Sequence, residues 1–271
     1  MKSVLITGGN GNIAKMIRGH LSSEFDITCV YRADFDMLDC SAFETYLSNK
    51  TFDILIHTAI IGGRRTKEET GEVAYQNLIM FENIMKNSYK FGLIINFDSG
   101  AIYDRNTDIF CRKEDELFTI PRDYYGFSKY VIHNRSLQYN NVFNLRIFNI
   151  FHANEEPDRF IKTCFLAKKN DTKVTIFNDK FFDFMYEDDF VKIVRYYLTT
   201  PISKLKKTIN LSYNTKYRLS DIAQLIVNDD NIDIIDPNTS HNYCGNGNEL
   251  EQLGIDLDGL EVGIDKISRI F

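Results

Sequence analysis

The chain has no tryptophan, only 4 prolines in 271 residues, and no surplus of cations: 32 Lys and Arg face 38 Asp and Glu, a formal net charge of -6. A general nucleic-acid binder needs excess Lys and Arg to displace phosphate counterions, so no nucleic-acid partner is expected. A polybasic membrane anchor is disfavoured on the same ground. No apolar run approaches the roughly 18 residues of a transmembrane helix. The opening Met1–Gly8 stretch is too short for a signal peptide, because Gly8-Gly9-Asn10-Gly11 ends it at once. The 5 cysteines (Cys29, Cys40, Cys111, Cys164 and Cys244) show neither CxxC nor His/Cys spacing, so no metal site is expected. Free thiols point to a reducing cytoplasm.

What is present is an ordinary globular balance, with 44% apolar and 26% charged residues. At roughly 150 residues per domain, the length suits one large domain or two small ones. Short apolar runs alternate with helical patterns through the first half. Strands are expected at 4–6, 27–31, 54–56, 93–97 and 142–147. Helices are expected at 12–24, around 43–47, at 68–90 and at 124–140. That alternation predicts parallel βαβ units, since parallel strands need a helical crossover. Continuous apolar strands fit a sheet covered on both faces. After residue 150 the pattern is irregular. Helices are expected near 159–168, 188–198 and 219–228, the last capped by Ser220, and strands at 174–177 and 208–211. The expected fold is therefore α/β. A doubly wound parallel sheet occupies 1–150, and a smaller α/β lobe occupies 151–271, with some chain crossing between them.

Thr7-Gly8-Gly9-Asn10-Gly11-Asn12-Ile13-Ala14 lies between the first strand and the first helix. Glycines there let backbone N–H groups approach a pyrophosphate at the helix N-terminus, where the helix dipole favours anions. Gly8, Asn10, Gly11, Asn12 and Ile13 are thus cofactor candidates. A nicotinamide cofactor with a 2′-phosphate wants a cation after the second strand, and NAD wants a carboxylate. Arg32 is the first charge there, which favours NADP(H), while Asp34 and Asp36 keep NAD open.

Tyr125 and Lys129 stand four residues apart, on one helix face. A phenol titrates near pH 10 unperturbed, and a cation one turn away favours the phenolate. The same lysine is placed to bond a nicotinamide ribose. Ser99 ends the fourth strand, and ligands of doubly wound sheets bind at the carboxyl ends of strands. It is placed to donate to a carbonyl oxygen or alkoxide.

Jointly, Gly8/Gly11/Ala14, Ser99 with Ile102-Tyr103, Tyr125/Lys129, Leu145-Arg146-Ile147-Phe148-Asn149 and Asp183-Phe184-Met185-Tyr186-Glu187-Asp188-Asp189 carry a resemblance. The chain resembles the extended short-chain dehydrogenase/reductase family, in its NAD-dependent epimerase/dehydratase group. The resemblance spans nearly the whole chain. It implies a Rossmann sheet with a C-terminal substrate lobe. It implies that Ser99 and Tyr125 hold the reacting oxygen and that Lys129 binds the ribose and tunes Tyr125. It also implies that Leu38 and Asp39 hold the adenine, that Ala59 lies beside the cofactor, and that Asn149 and Gly100 face the substrate. The paired long helices imply a homodimer, with Phe127, Tyr130 and Val131 at the interface.

Within the family, the GDP-L-fucose synthase and dTDP-4-dehydrorhamnose reductase subgroups are the most similar. Both share the short Asp-rich connection at 32–39. Gly100-Ala101 follow Ser99 where dehydratases carry Asp-Glu, so dehydration is not expected. Ala101 also stands where the fucose synthases carry a cysteine for epimerisation. Phe182 replaces the family's basic residue before Asp-Phe, leaving Arg64, Arg65, Arg159 and Lys162 as the cations for a nucleotide diphosphate. His57 and His152 are expected to be structural. The resemblance thus implies NADPH-dependent reduction of a 4-keto nucleotide sugar, in surface-polysaccharide sugar biosynthesis. The alternatives are an NAD-dependent nucleotide-sugar 4-epimerase and, from another class, a non-enzymatic NADP-binding regulatory protein.

Overall fold

Val4, Leu5 and Ile6 expose no surface at all, as a strand covered on both faces requires. They form the middle of the first strand in a computed structural model that describes residues 1–63, 68–236 and 241–271. In chain order the first elements are β1 (Ser3–Thr7), α1 (Asn12–Leu21), β2 (Asp26–Val30), α2 (Cys40–Tyr46), β3 (Ile54–His57), α3 (Gly71–Lys86), β4 (Leu93–Ser99) and β5 (Ile109–Arg112). Next come α4 (Tyr124–Ser136), β6 (Val142–Ile147), β7 (Ile150–Phe151), α5 (Phe160–Asn170), β8 (Val174–Asn178), β9 (Met185–Tyr186) and α6 (Glu187–Thr199). The remainder comprises β10 (Thr208–Leu211), α7 (Leu219–Gln224), β11 (Ile232–Asp236), β12 (Tyr243–Gly245), α8 (Asn248–Glu251) and α9 (Gly259–Ser268).

These elements fall into two compact units. The first holds Met1–Asp104, Leu117–Arg146 and Val194–Ile209, and the second holds Arg105–Glu116, Ile147–Ile193 and Asn210–Phe271. The change of pattern at residue 150 thus lies near the Arg146–Ile147 changeover, but two segments, 105–116 and 194–209, exchange between the halves.

Six strands form one sheet in the order β10-β6-β4-β3-β1-β2, all of it in the first unit except Ile147 of β6 and Asn210 and Leu211 of β10. The pairs β1/β2, β1/β3 and β3/β4 are parallel, with Val4 opposite Ile27 and Ile54, and Ile56 opposite Ile95. The strand order reverses between β1 and β3, and such a switch point opens a crevice at the strands' carboxyl ends. α1 buries Ala14, Met16, Ile17 and Leu21 along one stripe. Phe43 of α2, Phe81 and Ile84 of α3 and Ile132 of α4 share a core with Leu5, Leu55 and Ile94 of the sheet. α3 and α4 are shorter than their patterns predict. α3 stops where the Asn87 side chain donates back to Asn83 O at 3.1 Å. α4 stops where the Ser136 hydroxyl donates to His133 O at 2.6 Å.

The second unit is built from short parallel pairs, β8/β11, β5/β12 and β7/β9. Of these strands only β8 matches one expected from the sequence. Phe151, Ile161, Phe165, Val174, Ile176, Phe184, Ile222 and Ile264 fill its core. One helix cap is corrected. α7 begins at an Arg218 N-cap whose N–H donates to Asp221 at 2.7 Å. Ser220 lies inside the helix instead, and its hydroxyl donates to Asp179 at 2.9 Å.

Two acids of the Asp-Phe signature, Asp183 and Asp189, act as clamps in this unit. Asp183 is buried and accepts from Gly245 N–H at 2.8 Å, from the Ser212 hydroxyl, and from Lys216 Nζ at 3.0 Å. Asp189 accepts from the N–H groups of Asp258 and Gly259, both at 2.8 Å, and from the Tyr213 hydroxyl at 2.6 Å. It thereby satisfies donors at the start of α9 that the helix itself leaves unpaired.

Candidate functional site

The glycine loop reads directly in backbone terms. Gly8 has φ +70°, and a Cβ there would sit 2.8 Å from the Ala59 backbone. Only glycine meets both demands, the left-handed conformation and the close approach of β1 to the chain after β3. A Cβ on Gly9 would lie 2.7 Å from the Tyr31 ring and 2.9 Å from Cys29. Gly11 is the N-cap of α1, and no side chain caps that helix. Thr58 Oγ1 donates to Thr7 O at 2.6 Å and ties the ends of β1 and β3 together.

A cavity of about 340 Å³ opens over this loop. Gly8, Gly9, Asn10, Gly11, Arg32, Leu38 and Ala59 line it, with Tyr31, Phe35, Asp36 and Ile61 beside them. The glycine cradle, the uncapped helix start and this cavity fit a dinucleotide pyrophosphate. The Arg32 guanidinium is exposed and pairs with Asp36 at 3.3 Å. Asp34 is occupied elsewhere, accepting from Tyr31 N–H at 2.8 Å. Asp39 is the N-cap of α2, where it accepts from Ser41 N–H at 2.9 Å and Ala42 N–H at 3.2 Å.

Ser99 ends β4, and its hydroxyl oxygen accepts from Ala101 N–H at 3.2 Å. A tight helical turn, Gly100–Tyr103, follows and packs beneath the start of α4. A Cβ on Gly126 would lie 2.8 Å from Ala101 O, so the bare glycine lets α4 approach the residues after Ser99. Tyr125, the residue before it, is half-buried, and its N–H donates to Glu69 at 3.1 Å. Gly63 has φ +88°, and a Cβ there would meet the Tyr125 ring at 3.0 Å. Asn77 of α3 pins the neighbouring loop, bonding both the N–H and the carbonyl of Ile61 at 2.9 Å.

Lys129, one turn along from Tyr125, is buried. Its Nζ lies 5.8 Å from the Tyr125 ring centroid and donates to Phe97 O at 2.5 Å. Burial pulls this ammonium down to about 8, against the opposing effect of the Asp98 charge. His57 is buried as well and bonds Thr7 at 2.9 Å. Burial, helped by the Lys129 charge, pulls it down to about 3, so it is neutral at pH 7. The same cause lowers the half-buried His152 of the second unit.

Continuous apolar strands were expected in the centre of the sheet, and β4 and β6 depart from this. Asn96 and Asp98 on β4 and Asn144 and Arg146 on β6 are all buried. Their spacing of two puts each pair on one strand face. Asn96 donates to Asn144 at 2.8 Å, and Asn144 donates to Ser136 of α4 at 2.8 Å. Asp98 meets Arg146 Nε at 3.0 Å and His133 Nδ1 of α4 at 3.1 Å. Arg146 also donates to the Tyr103 hydroxyl. Burial alone raises the Asp98 carboxyl, but Arg146, His133 and Lys129 outweigh it and hold it at about 2. Sequence reading missed these two polar rungs. The alternation Asn96, Asp98 and Asn144, Arg146 was the signal for them.

The remaining expected substrate residues lie in the second unit. Asn149 O accepts from Met185 N–H at 2.9 Å. Arg159 is the N-cap of α5. Lys162 Nζ donates to Ala153 O at 2.7 Å and sits 4.1 Å from the Phe271 ring centroid. Arg64 and Arg65 lie outside the described residues. Among the described residues, no cluster of His, Cys, Asp and Glu could hold a metal ion, and no helix is long and apolar enough to cross a membrane.

The sequence profile of the NAD dependent epimerase/dehydratase family matches residues 4–212. No curated protein matches the chain in sequence. Among solved structures, a GDP-L-fucose synthetase from Naegleria fowleri bound to NADP superposes with a TM-score of 0.80 at 18% identity, covering 99% of this chain and 92% of that one. A GDP-mannoheptose C4 reductase from Campylobacter jejuni with NADP bound gives 0.81 at 15% identity, covering 99% and 97%. A dTDP-4-dehydrorhamnose reductase from Bacillus anthracis in complex with NADP gives 0.82 at 16% identity, covering 100% and 98%.

Proposed function

Since the chain belongs to the NAD dependent epimerase/dehydratase family, we propose that it is an NADPH-dependent reductase of a 4-keto nucleotide sugar. The observation that carries this reading is the buried Lys129 ammonium 5.8 Å from the ring of the half-buried Tyr125, on a helix packed against the turn after Ser99. A structural lysine needs no such placement, and a pure cofactor binder needs no phenol beside it. The three solved structures described above each hold NADP, and each is named for a nucleotide-sugar enzyme.

The glycine loop and the start of α1 would hold the pyrophosphate, Leu38 the adenine, and Arg32 the 2′-phosphate. The reduced nicotinamide supplies the hydride. Ser99 donates to the substrate carbonyl and stabilises the developing alkoxide. Tyr125 delivers the proton to that oxygen, and the adjacent ammonium makes the resulting phenolate easier to form. Gly100 would contact the sugar nucleotide beside Ser99. α3 and α4 would pair in a homodimer, with Phe127, Tyr130 and Val131 at its interface. The enzyme would work in the cytoplasm and supply sugars for a surface polysaccharide.

One observation favours a second reading, the NAD-dependent 4-epimerase. Asp36 lines the cofactor cavity beside Arg32, and a carboxylate there suits a free ribose 2′-hydroxyl. NADPH consumption, followed at the nicotinamide absorbance band with GDP-, dTDP-, UDP- and CDP-linked 4-keto-6-deoxy sugars, separates the two. Turnover that Tyr125→Phe abolishes with NADPH binding intact supports the reductase. No consumption with any of these sugars, together with tightly held NAD in the purified protein, would replace it with the epimerase.

A further inference from the structure

Asp98 does three things with one carboxylate. Oδ1 accepts from the N–H of Ser99 at 2.8 Å. Oδ2 takes Arg146 Nε at 3.0 Å and His133 Nδ1 at 3.1 Å. Its charge also faces Lys129, one turn before His133 on α4. The whole assembly is buried: the side chains of Asp98, Arg146 and His133 are 1%, 0% and 5% exposed. β4 supplies Asp98, β6 supplies Arg146 and α4 supplies His133, so the carboxylate is held from three elements.

We propose that Asp98 is a positioning residue for the reaction, fixing the Ser99 backbone at the end of β4 and keeping the buried Lys129 ammonium charged beside Tyr125, with Arg146 and His133 holding its carboxylate in place. This rests on the reading of Ser99, Tyr125 and Lys129 as the catalytic group. The charge argument is one of balance. Lys129 has lost its water and has the Phe97 carbonyl as a hydrogen-bond partner. Among the described residues, the groups facing it are the phenol of Tyr125 on its own helix, His57 on β3, which is neutral, and Asp98 on β4. Of these, Asp98 brings the negative charge that favours the ammonium. Arg146 has the opposite sign, but its guanidinium is tied to Asp98 and the Tyr103 hydroxyl. Structure alone does not require a charge at this position. The rung directly beside it, Asn96–Asn144–Ser136, joins the same strands and the same helix with neutral groups.

The test is the titration of Lys129 itself. Isotope-labelled lysine side chains are followed by NMR against pH, and the Lys129 line is assigned by its loss in Lys129→Met. In the native chain burial is expected to place its midpoint near 8. Asp98→Asn keeps the shape and removes the charge, and it is expected to lower that midpoint by about one unit or more, the usual effect of losing a close opposite charge. Because this variant leaves the Arg146 guanidinium buried without a carboxylate, Asp98→Asn/Arg146→Met serves as the second variant and removes both charges. There the midpoint is expected to fall as well, by less. The alkaline limb of NADPH binding, read from the nucleotide's own fluorescence, and that of keto-sugar reduction are expected to move with it. An unmoved Lys129 midpoint in the two variants would overturn the role of Asp98. A native chain that binds NADPH but reduces none of the keto sugars would overturn the proposed reaction instead, while leaving the titration readable.

Discussion

Two glycines on helices give opposite expectations when each is replaced by alanine. Gly126 lies in the first turn of α4, and an added Cβ would meet Ala101 O and Pro121 Cβ at 2.8 Å and the Asp123 carboxylate at 3.0 Å. Two of these three neighbours are stiff. The Ala101 carbonyl is further held by the N–H of Asp104 at 3.2 Å, and Pro121 is a ring. The helix would gain about 0.8–1 kcal/mol from alanine's propensity, while overpacking a tight contact costs typically 1–3 kcal/mol. The net change for Gly126→Ala is therefore a destabilisation of about 0–2 kcal/mol. Its larger effect is positional, because α4 must move off the turn that follows Ser99 and Tyr125 moves with it. A displacement on the order of 1 Å costs about a hundredfold in rate, so a drop of 10- to 100-fold in kcat is expected. Gly19 is the control. It lies in α1, its added Cβ meets nothing within 4 Å, and Gly19→Ala should gain about 0.8–1 kcal/mol with turnover unchanged. Urea denaturation and NADPH consumption with a 4-keto sugar read the two effects separately. Native turnover in Gly126→Ala would refute the argument that this glycine sets the distance between Tyr125 and Ser99.

Four further outcomes are expected. Arg32→Ala should weaken NADPH binding by about 10- to 100-fold, the loss of one charge-assisted phosphate contact, and leave NADH binding nearly unchanged; equal losses for both nucleotides in a fluorescence titration would remove Arg32 from the 2′-phosphate. Asn144→Ala leaves Asn96 and Ser136 short of partners in a dry interior, so a destabilisation of about 1–3 kcal/mol is expected by urea melting. Burial pushes the Glu155 carboxyl up to about 7, against the Arg159 and Lys162 charges, so the folded chain holds a proton there that the unfolded chain releases above its ordinary pKa of 4.5. Stability from this group is therefore lost as pH rises from 4.5 through 7. Glu155→Gln should flatten that slope and leave the chain more stable than native at pH 8, on the order of 2 kcal/mol. His57 acts in the opposite sense, because its folded value of about 3 makes the unfolded chain take up a proton as pH falls below 6.5; an acid limb of the stability curve near pH 5–6 that survives in Glu155→Gln is its signature.

The parts that were legible are those that local chemistry imposes. A run such as Val4-Leu5-Ile6 has few ways to leave water other than inside a sheet, and Gly8 before Gly11 has a backbone reason at a strand-to-helix turn. The small paired strands of the second unit were poorly legible for the converse reason. β7 and β9 are two residues each and exist by virtue of each other, so neither carries a pattern of its own. The Ser220 cap failed similarly. Serine suits that role locally, but Asp221 already accepts from the Arg218 N–H, and Asp179, distant in sequence, claims the Ser220 hydroxyl.

The same division runs through the site. Sequence by itself determined the family, the βαβ order, the glycine cradle, and the pairing of Tyr125 with Lys129 on one helix face, because each is carried by short motifs, every one of which can be read without its spatial neighbours. Tertiary structure alone decided the state of those groups. It put Lys129 out of water, set Asp98, Arg146 and His133 around a single buried carboxylate, brought α4 against the turn after Ser99 through a missing Cβ at Gly126, and turned the signature acids Asp183 and Asp189 into clamps on remote backbone. Burial and charge balance are sums over neighbours far apart in the chain, and those neighbours meet only once the sheet has formed.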